Sequence, residues 1–158
     1  MSLETVRSWL AQNAPDLALI EVTESTATVE TAARALGVEP ALIAKTLAVR
    51  AGDQIFLLVA RGDARLDNSK CKAEFSARPR MLGPEETLAM TGHPIGGVCP
   101  FGLATPIPVF LDISLKPFAM VYPAAGSLNT SVRVAPERLF ELIGSRWVDL
   151  CRLPGEAS

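Results

Sequence analysis

The stretch Thr46-Leu47-Ala48-Val49-Arg50-Ala51-Gly52-Asp53-Gln54-Ile55-Phe56-Leu57-Leu58-Val59-Ala60 decides the fold. Two apolar runs, Thr46 to Val49 and Gln54 to Ala60, flank Arg50-Ala51-Gly52-Asp53. Glycine and aspartate suit a tight reversal, so the pattern predicts a β-hairpin. From Ile55 to Ala60 every residue is apolar. That marks a strand covered on both faces, central to its sheet.

On the N-terminal side, Thr5 to Gln12 sets Val6, Trp9 and Leu10 at helical spacing, and Pro15 ends the helix. Leu17 to Val22 reads as a strand. Thr28 to Gly37 reads as a helix, with Thr28 as N-cap, Thr31 nearby and Gly37 as the stop. Glu39 to Ala44 reads as one or two helical turns led by Pro40. On the C-terminal side, Asp67 caps a helix running to Phe75. Another helix spans Pro84 to Thr91, with acids in its first turn and Gly92 after it. Pro108 to Ile113, Phe118 to Tyr122, Ser131 to Val134 and Trp147 to Leu150 read as strands, and Pro136 to Ile143 as a helix. Helices and strands interleave without a βαβ rhythm, which predicts an α+β fold with a mixed sheet. No repeat or linker interrupts the chain, so residues 1–158 are expected to form one domain.

The chain has 158 residues, 49% hydrophobic and 20% charged. That apolar content excludes disorder. No apolar run approaches the roughly 18 residues a membrane span needs. The N-terminus shows no long apolar segment of the signal-peptide kind, and three cysteines (Cys71, Cys99, Cys151) lack paired spacing. A reducing, cytoplasmic setting is the expectation. Net charge is −2, which argues against a general nucleic-acid coating protein. Residues 45–80 nevertheless carry +4 and the remainder −6. A solvated surface accounts for this unevenness more simply than a binding patch.

The sequence contains no GxGxxG, Walker A, HExxH or GxSxG motif. The spacing of His93, Cys99 and Cys71 matches no zinc pattern. A Cys99–His93 nucleophile pair is the next candidate. A solvent-facing loop histidine beside a buried cysteine is the simpler account, because His93 precedes Pro94 and nothing evident orients it. Gly92 to Gly102 holds four glycines and two prolines. Either its backbone approaches a ligand, with the N–H groups of residues 97 to 99 facing an oxyanion or phosphate, or it is a tight corner. Lys45 lies in an apolar stretch. It either snorkels to the surface or sits at a pocket mouth against an anion or carbonyl.

Three segments in order, Ala44-Lys45-Thr46-Leu47, the Gly96-Gly97-x-x-Pro100-x-Gly102 loop and Ala124-Ala125-Gly126, resemble the YbaK/ProX family. These are aminoacyl-tRNA deacylase domains, also found as the editing insertion of bacterial prolyl-tRNA synthetases. The resemblance runs from about residue 17 to 147, and the Thr105 to Asp112 run is most similar to the free-standing members. It implies a mixed sheet curled into a barrel-like shape, no metal or organic cofactor, and hydrolysis of the ester of a mischarged tRNA. The implied substrate is tRNA for proline carrying alanine, cysteine, serine or 2-aminobutyrate. The implied catalytic positions are Lys45, Gly96 and Pro100, and the backbone N–H groups of Gly97, Val98 and Cys99 are the expected donors to the ester carbonyl oxygen. The implied substrate-binding positions are Thr26, Thr46, Asp112, Ala124, Gly126 and Ser127.

Two positions depart from the family pattern. Ala124-Ala125-Gly126 replaces Ser-Gly-Gly or Ser-Ala-Gly, and Ser131 stands where some members carry Asp, so the accepted amino acid stays open. On this view Arg61, Arg65, Lys70, Lys72, Arg78 and Arg80 steer the acceptor end by phosphate contacts. Prolyl-tRNA synthetase or an elongation factor presents the substrate, and neither membrane nor DNA is a partner. A catalytically silent tRNA- or synthetase-binding module, or a hydrolase of a non-tRNA ester, remains the alternative.

Overall fold

A computed structural model describes residues 2–156. The hairpin forms its centre. Strands β2 (Ile43–Ala51) and β3 (Gln54–Arg61) pair antiparallel from Ala44↔Arg61 to Ala51↔Gln54. Gly52 takes φ +62° in the two-residue turn, a conformation that suits glycine. Two shorter elements precede it: α1 (Ser2–Asn13) and β1 (Leu19–Glu21). Helix α2 (Val29–Leu36) follows β1, with a reciprocal Thr28–Thr31 capping box and Gly37 left-handed at its end.

The chain continues through β4 (Arg65–Leu66), α3 (Asn68–Phe75), β5 (Pro79–Met81), α4 (Pro84–Thr91) and β6 (Val109–Asp112). Then come β7 (Tyr122–Pro123), β8 (Thr130–Val132), α5 (Pro136–Ile143), β9 (Arg146–Val148) and β10 (Cys151–Arg152). The main sheet runs β5-β2-β3-β6-β9, with β7 also on β2. β3–β6, β6–β9 and β2–β7 are parallel, while β2–β3 and β2–β5 are antiparallel, so the sheet is mixed. β1–β8 and β4–β10 form two small separate ribbons. The strands do not close into a barrel.

β3 is buried on both faces, as its unbroken apolar run requires. Its alternation divides the core. Leu57 and Val59 join Val6, Leu10, Phe101, Leu111 and Leu139 on one side. Phe56, Leu58 and Ala60 join Phe110, Cys71, Val148 and Leu150 on the other. A third small cluster seats α2 on β2 through Ala32, Ala33 and Ile43.

Several sequence expectations are corrected. The helical turn after Glu39 is a single 3-10 turn, Pro40–Leu42. Ile43 and Ala44 already belong to β2 because they pair with Tyr122 and Pro123 of β7. Lys45 therefore lies inside a strand. The expected strand from Phe118 shrinks to β7, with Val121 in an isolated bridge to Val134, since Phe118 instead closes a turn on Leu115. The last expected strand begins at Arg146, where β9 meets β6. β4 and β5 went unread because two- and three-residue strands rich in arginine carry no apolar period.

Candidate functional site

A hollow of about 370 Å³ lies between the start of α2, β2 and the glycine loop. That size suits a small ligand. The 3-10 turn swings the chain into β2 directly beneath the first turn of α2, so residues 26–29 and 43–48 share the same space. The walls are mostly apolar: Ala27, Val29, Ile43, Leu47, Met81, Leu82, Ile95 and Val98. Among the described residues, the lining holds no carboxylate and no imidazole. Its titratable members are Lys45 and Tyr122.

Lys45 is half-buried and does not run freely to solvent. Its ammonium donates to the carbonyl oxygen of Gly62 at 3.1 Å and to that of Ala64, both in the turn after β3. An ammonium has three donors, and these two bonds occupy two of them. Burial pulls the amine below the ordinary lysine range, opposed by the neighbouring Asp63 and Glu30 charges.

Two hydroxyls complete the picture. Thr26 Oγ1 and Thr46 Oγ1 are buried and find no hydrogen-bond partner among the described residues. Thr26 is only 6% exposed. Buried polar groups are ordinarily satisfied, since leaving one unpaired costs about 1–3 kcal/mol. Both threonines line the hollow, so a bound molecule can supply the missing partners.

The glycine loop contributes less chemistry than its composition suggests. Gly96 and Val98 line the hollow; Gly97, Cys99 and Pro100 do not. Gly96 adopts φ +93°, and a Cβ there would meet Leu128 Cδ2 at 3.0 Å and Ala27 Cβ at 3.3 Å. The Gly97 amide donates to Pro94 O at 2.9 Å, so the expected row of ligand-facing N–H groups at 97 to 99 is already broken at its first member. Pro100 lines a separate apolar groove with Trp9, Leu103 and Ile107.

His93 does not face solvent; it is fully buried. Nε2 stands 2.7 Å from Phe101 O and so carries the proton, while Nδ1 accepts from Ser2 Oγ at 2.5 Å. Burial holds its pKa below the ordinary histidine value. Cys99 Sγ lies 3.5 Å from Nε2, and burial pushes its thiol up to about 12, far from a reactive thiolate. This is a satisfied core pair tying the loop to α1. Cys71 belongs to the core on the other side of the sheet, which separates it from the two residues weighed with it as zinc ligands.

Of the remaining positions named from sequence, Ala124 lines the hollow, whereas Asp112, Gly126 and Ser127 do not. Asp112 is 1% exposed and accepts from the amides of Ser114 and Leu150, a structural use. Gly126, at φ +92°, lets α1 approach: a Cβ there would sit 2.7 Å from Val6 Cγ2 and 2.9 Å from Ser2 O. Ser127 Oγ bonds Asn129 and Thr130 within its own turn. Tyr122 and Ser131 line the hollow. Sequence reasoning did not assign Tyr122, whose place depends on the parallel pairing of β7 with β2.

The basic residues divide. Arg61 is bound to Asp63, and Lys70 to Asp149 and Cys151 O. Arg65, Lys72, Arg78 and Arg80 are exposed and form no ion pair among the described residues. Arg78 and Arg80 flank or lie on β5, whose Met81 reaches the rim of the hollow.

The α+β domain thus holds a lysine and, among the described residues, two unpaired hydroxyls around a small apolar hollow. The aminoacyl-tRNA editing domain profile matches residues 23–142, so this chain belongs to that family. It is 47% identical to the uncharacterised YwhH of Bacillus subtilis (strain 168), over 96% of this chain and 98% of that protein. It is 33% identical to the proline--tRNA ligase of Bacillus licheniformis over 68% of this chain, where it spans 19% of the ligase. A solved structure described as a candidate trans-editing enzyme for prolyl-tRNA synthetase superposes with TM-score 0.87. It has 33% identity and covers 96% of this chain and 97% of that one. No helix among the described residues is long and apolar enough to cross a membrane.

Proposed function

We propose that this protein is a free-standing deacylase that hydrolyses the ester of mischarged tRNA for proline bearing a small amino acid: alanine, cysteine, serine or 2-aminobutyrate. The observation that carries the reading is the hollow itself, with one held cation and two buried, unpartnered hydroxyls. Support comes from family membership and from similarity to both prolyl-tRNA ligases and a candidate trans-editing enzyme.

An aminoacyl ester is already activated, so positioning and polarisation suffice. The remaining Lys45 N–H faces the ester carbonyl or the terminal adenosine phosphate. Water attacks the carbonyl carbon, the ester C–O bond breaks, and the ribose oxygen leaves with a proton relayed by the vicinal hydroxyl. Among the described residues, no lining carboxylate or imidazole competes for that role. Thr26 and Thr46 hold polar atoms of the substrate, while the apolar walls limit side-chain size. Size alone discriminates weakly, about 10–200-fold per methylene, which is why a second, size-limited sieve is useful. Arg65, Lys72, Arg78 and Arg80 supply the phosphate contacts. The net charge of −2 makes this binding weak and salt-sensitive, so a synthetase or elongation factor presents the substrate.

The test is deacylation of tRNA for proline charged separately with alanine, cysteine, serine, 2-aminobutyrate and proline. Hydrolysis of a small mischarged species with proline spared supports the reading. Hydrolysis of none, or of simple esters in preference to charged tRNA, sinks it.

A further inference from the structure

The turn after β3 does more than connect strands. Its two carbonyls, Gly62 O and Ala64 O, are the partners of the Lys45 ammonium. Between them, Arg61 and Asp63 form a two-pronged ion pair, Nε to Oδ1 at 2.6 Å and Nη2 to Oδ2 at 3.0 Å. Among the described residues it is the least exposed of the ion pairs, with side chains 22% and 26% exposed. The guanidinium is also covered by Phe118, 5.3 Å from the ring centre. The Arg61 amide donates to Ser114 Oγ, and the Ala64 amide to Arg61 O. Gly62 packs against the 3-10 turn: a Cβ there would sit 2.1 Å from Pro40 O. Side chain, backbone and packing thus fix the same four residues.

We infer that Arg61, Gly62 and Asp63 are positioning residues, forming a clamp that presents two carbonyls to Lys45 and aims its third donor into the hollow. Arg61 is then spent inside the protein and does not bind tRNA phosphate, contrary to its place in the basic stretch of the sequence. The inference rests on Lys45 acting at the ester carbonyl in the proposed reaction, and it separates residues that charge alone treats alike. A phosphate contact acts on affinity and on its salt dependence. A clamp acts on turnover, since displacing a reacting group by about 1 Å costs up to ~100-fold.

The experiment compares Arg61→Ala, Asp63→Asn and the exchange Arg61→Asp with Asp63→Arg, beside Arg65→Ala, each checked for an unchanged thermal transition. Asp63→Asn is near-isosteric and guards against loss of fold. The expected result is a kcat lowered ~10-fold or more in each single variant with KM and salt dependence unchanged. The exchange recovers part of it, and Arg65→Ala shows the converse pattern.

A second readout needs no activity. The chain has only four lysines, so the Lys45 ammonium can be assigned in a proton–nitrogen spectrum by its loss in Lys45→Arg. It is expected to be protected from exchange in the wild type and lost in Arg61→Ala and Asp63→Asn. An unprotected Lys45 ammonium in the wild type overturns the clamp. So does an unchanged signal in the variants, or a raised KM with a flattened salt slope in Arg61→Ala. If the wild type hydrolyses no charged tRNA, the proposed function fails on its own, and the lysine signal still decides the clamp.

Discussion

Lys45 and the His93–Cys99 pair invite the same suspicion from sequence: ionisable groups set among apolar or glycine-rich neighbours. The fold separates them. At His93 every polar atom is answered, by Ser2, Phe101 and Cys99, and the space is closed. At Lys45, among the described residues, two donors are answered, one is not, and two neighbouring threonine hydroxyls have no partner. Burial alone does not mark a site. Unfinished hydrogen bonding beside an open volume does, because the remaining partners can come from a substrate.

The largest effect that would break this contrast concerns Lys45 itself. Lys45→Ala is expected to lose deacylation by roughly 100-fold or more, the scale of removing one oriented donor from a reacting oxygen. Circular dichroism should be unchanged; near-native turnover in that variant removes the distinction. On the other side, Cys99→Ser should leave turnover within about threefold and lower stability by about 1–3 kcal/mol, the cost of disturbing a buried polar group. Its loss of activity with an intact fold would restore Cys99 as a nucleophile.

Thr46→Val and Thr26→Val sharpen the comparison, because their effects on stability and activity should point in opposite directions. Removing an unpartnered buried hydroxyl leaves the melting temperature equal or higher, while deacylation falls about tenfold for each lost substrate bond. Parallel losses of both would mean the hydroxyls serve the fold.

A smaller effect follows from the sole histidine. Its folded pKa is depressed by burial, so the unfolded chain takes up the proton first as pH falls. The stability His93 contributes is present above about 6.5 and is lost progressively below it. Urea unfolding between pH 7.5 and 5 should show this slope, flattened in His93→Gln. Smallest are the single changes Arg65→Ala, Lys72→Ala, Arg78→Ala and Arg80→Ala. Each should reduce the salt slope of tRNA binding by about 1 where it meets a phosphate.

Local patterns were legible wherever a physical rule acts over a few residues. The unbroken run at Ile55 to Ala60 announced a strand buried on both faces, and Thr28 with Gly37 bounded α2 almost to the residue. The hairpin, the capped helices and the mixed sheet all followed from such signals, and the ordered motifs around Lys45, Gly96 and Ala124 carried the family. Illegible were features depending on partners far along the chain. Ile43 and Ala44 became strand because of Tyr122 and Pro123, nearly eighty residues away. His93 was buried by Ser2, ninety-one positions distant.

The same division runs through the site. Residue types, their order and the short-range backbone preferences determined that this chain folds as an α+β domain and carries a lysine and a glycine loop in the editing-domain pattern. Only the tertiary structure decided which of those groups share one volume. It turned Cys99, Asp112, Gly126 and Ser127 to structural use and brought Tyr122 and Ser131 to the hollow. It also paired Arg61 with Asp63 while leaving Arg78 and Arg80 exposed. The physical reason is that propensity and capping are short-range, whereas burial and hydrogen-bond satisfaction are settled between segments that meet only in the folded chain.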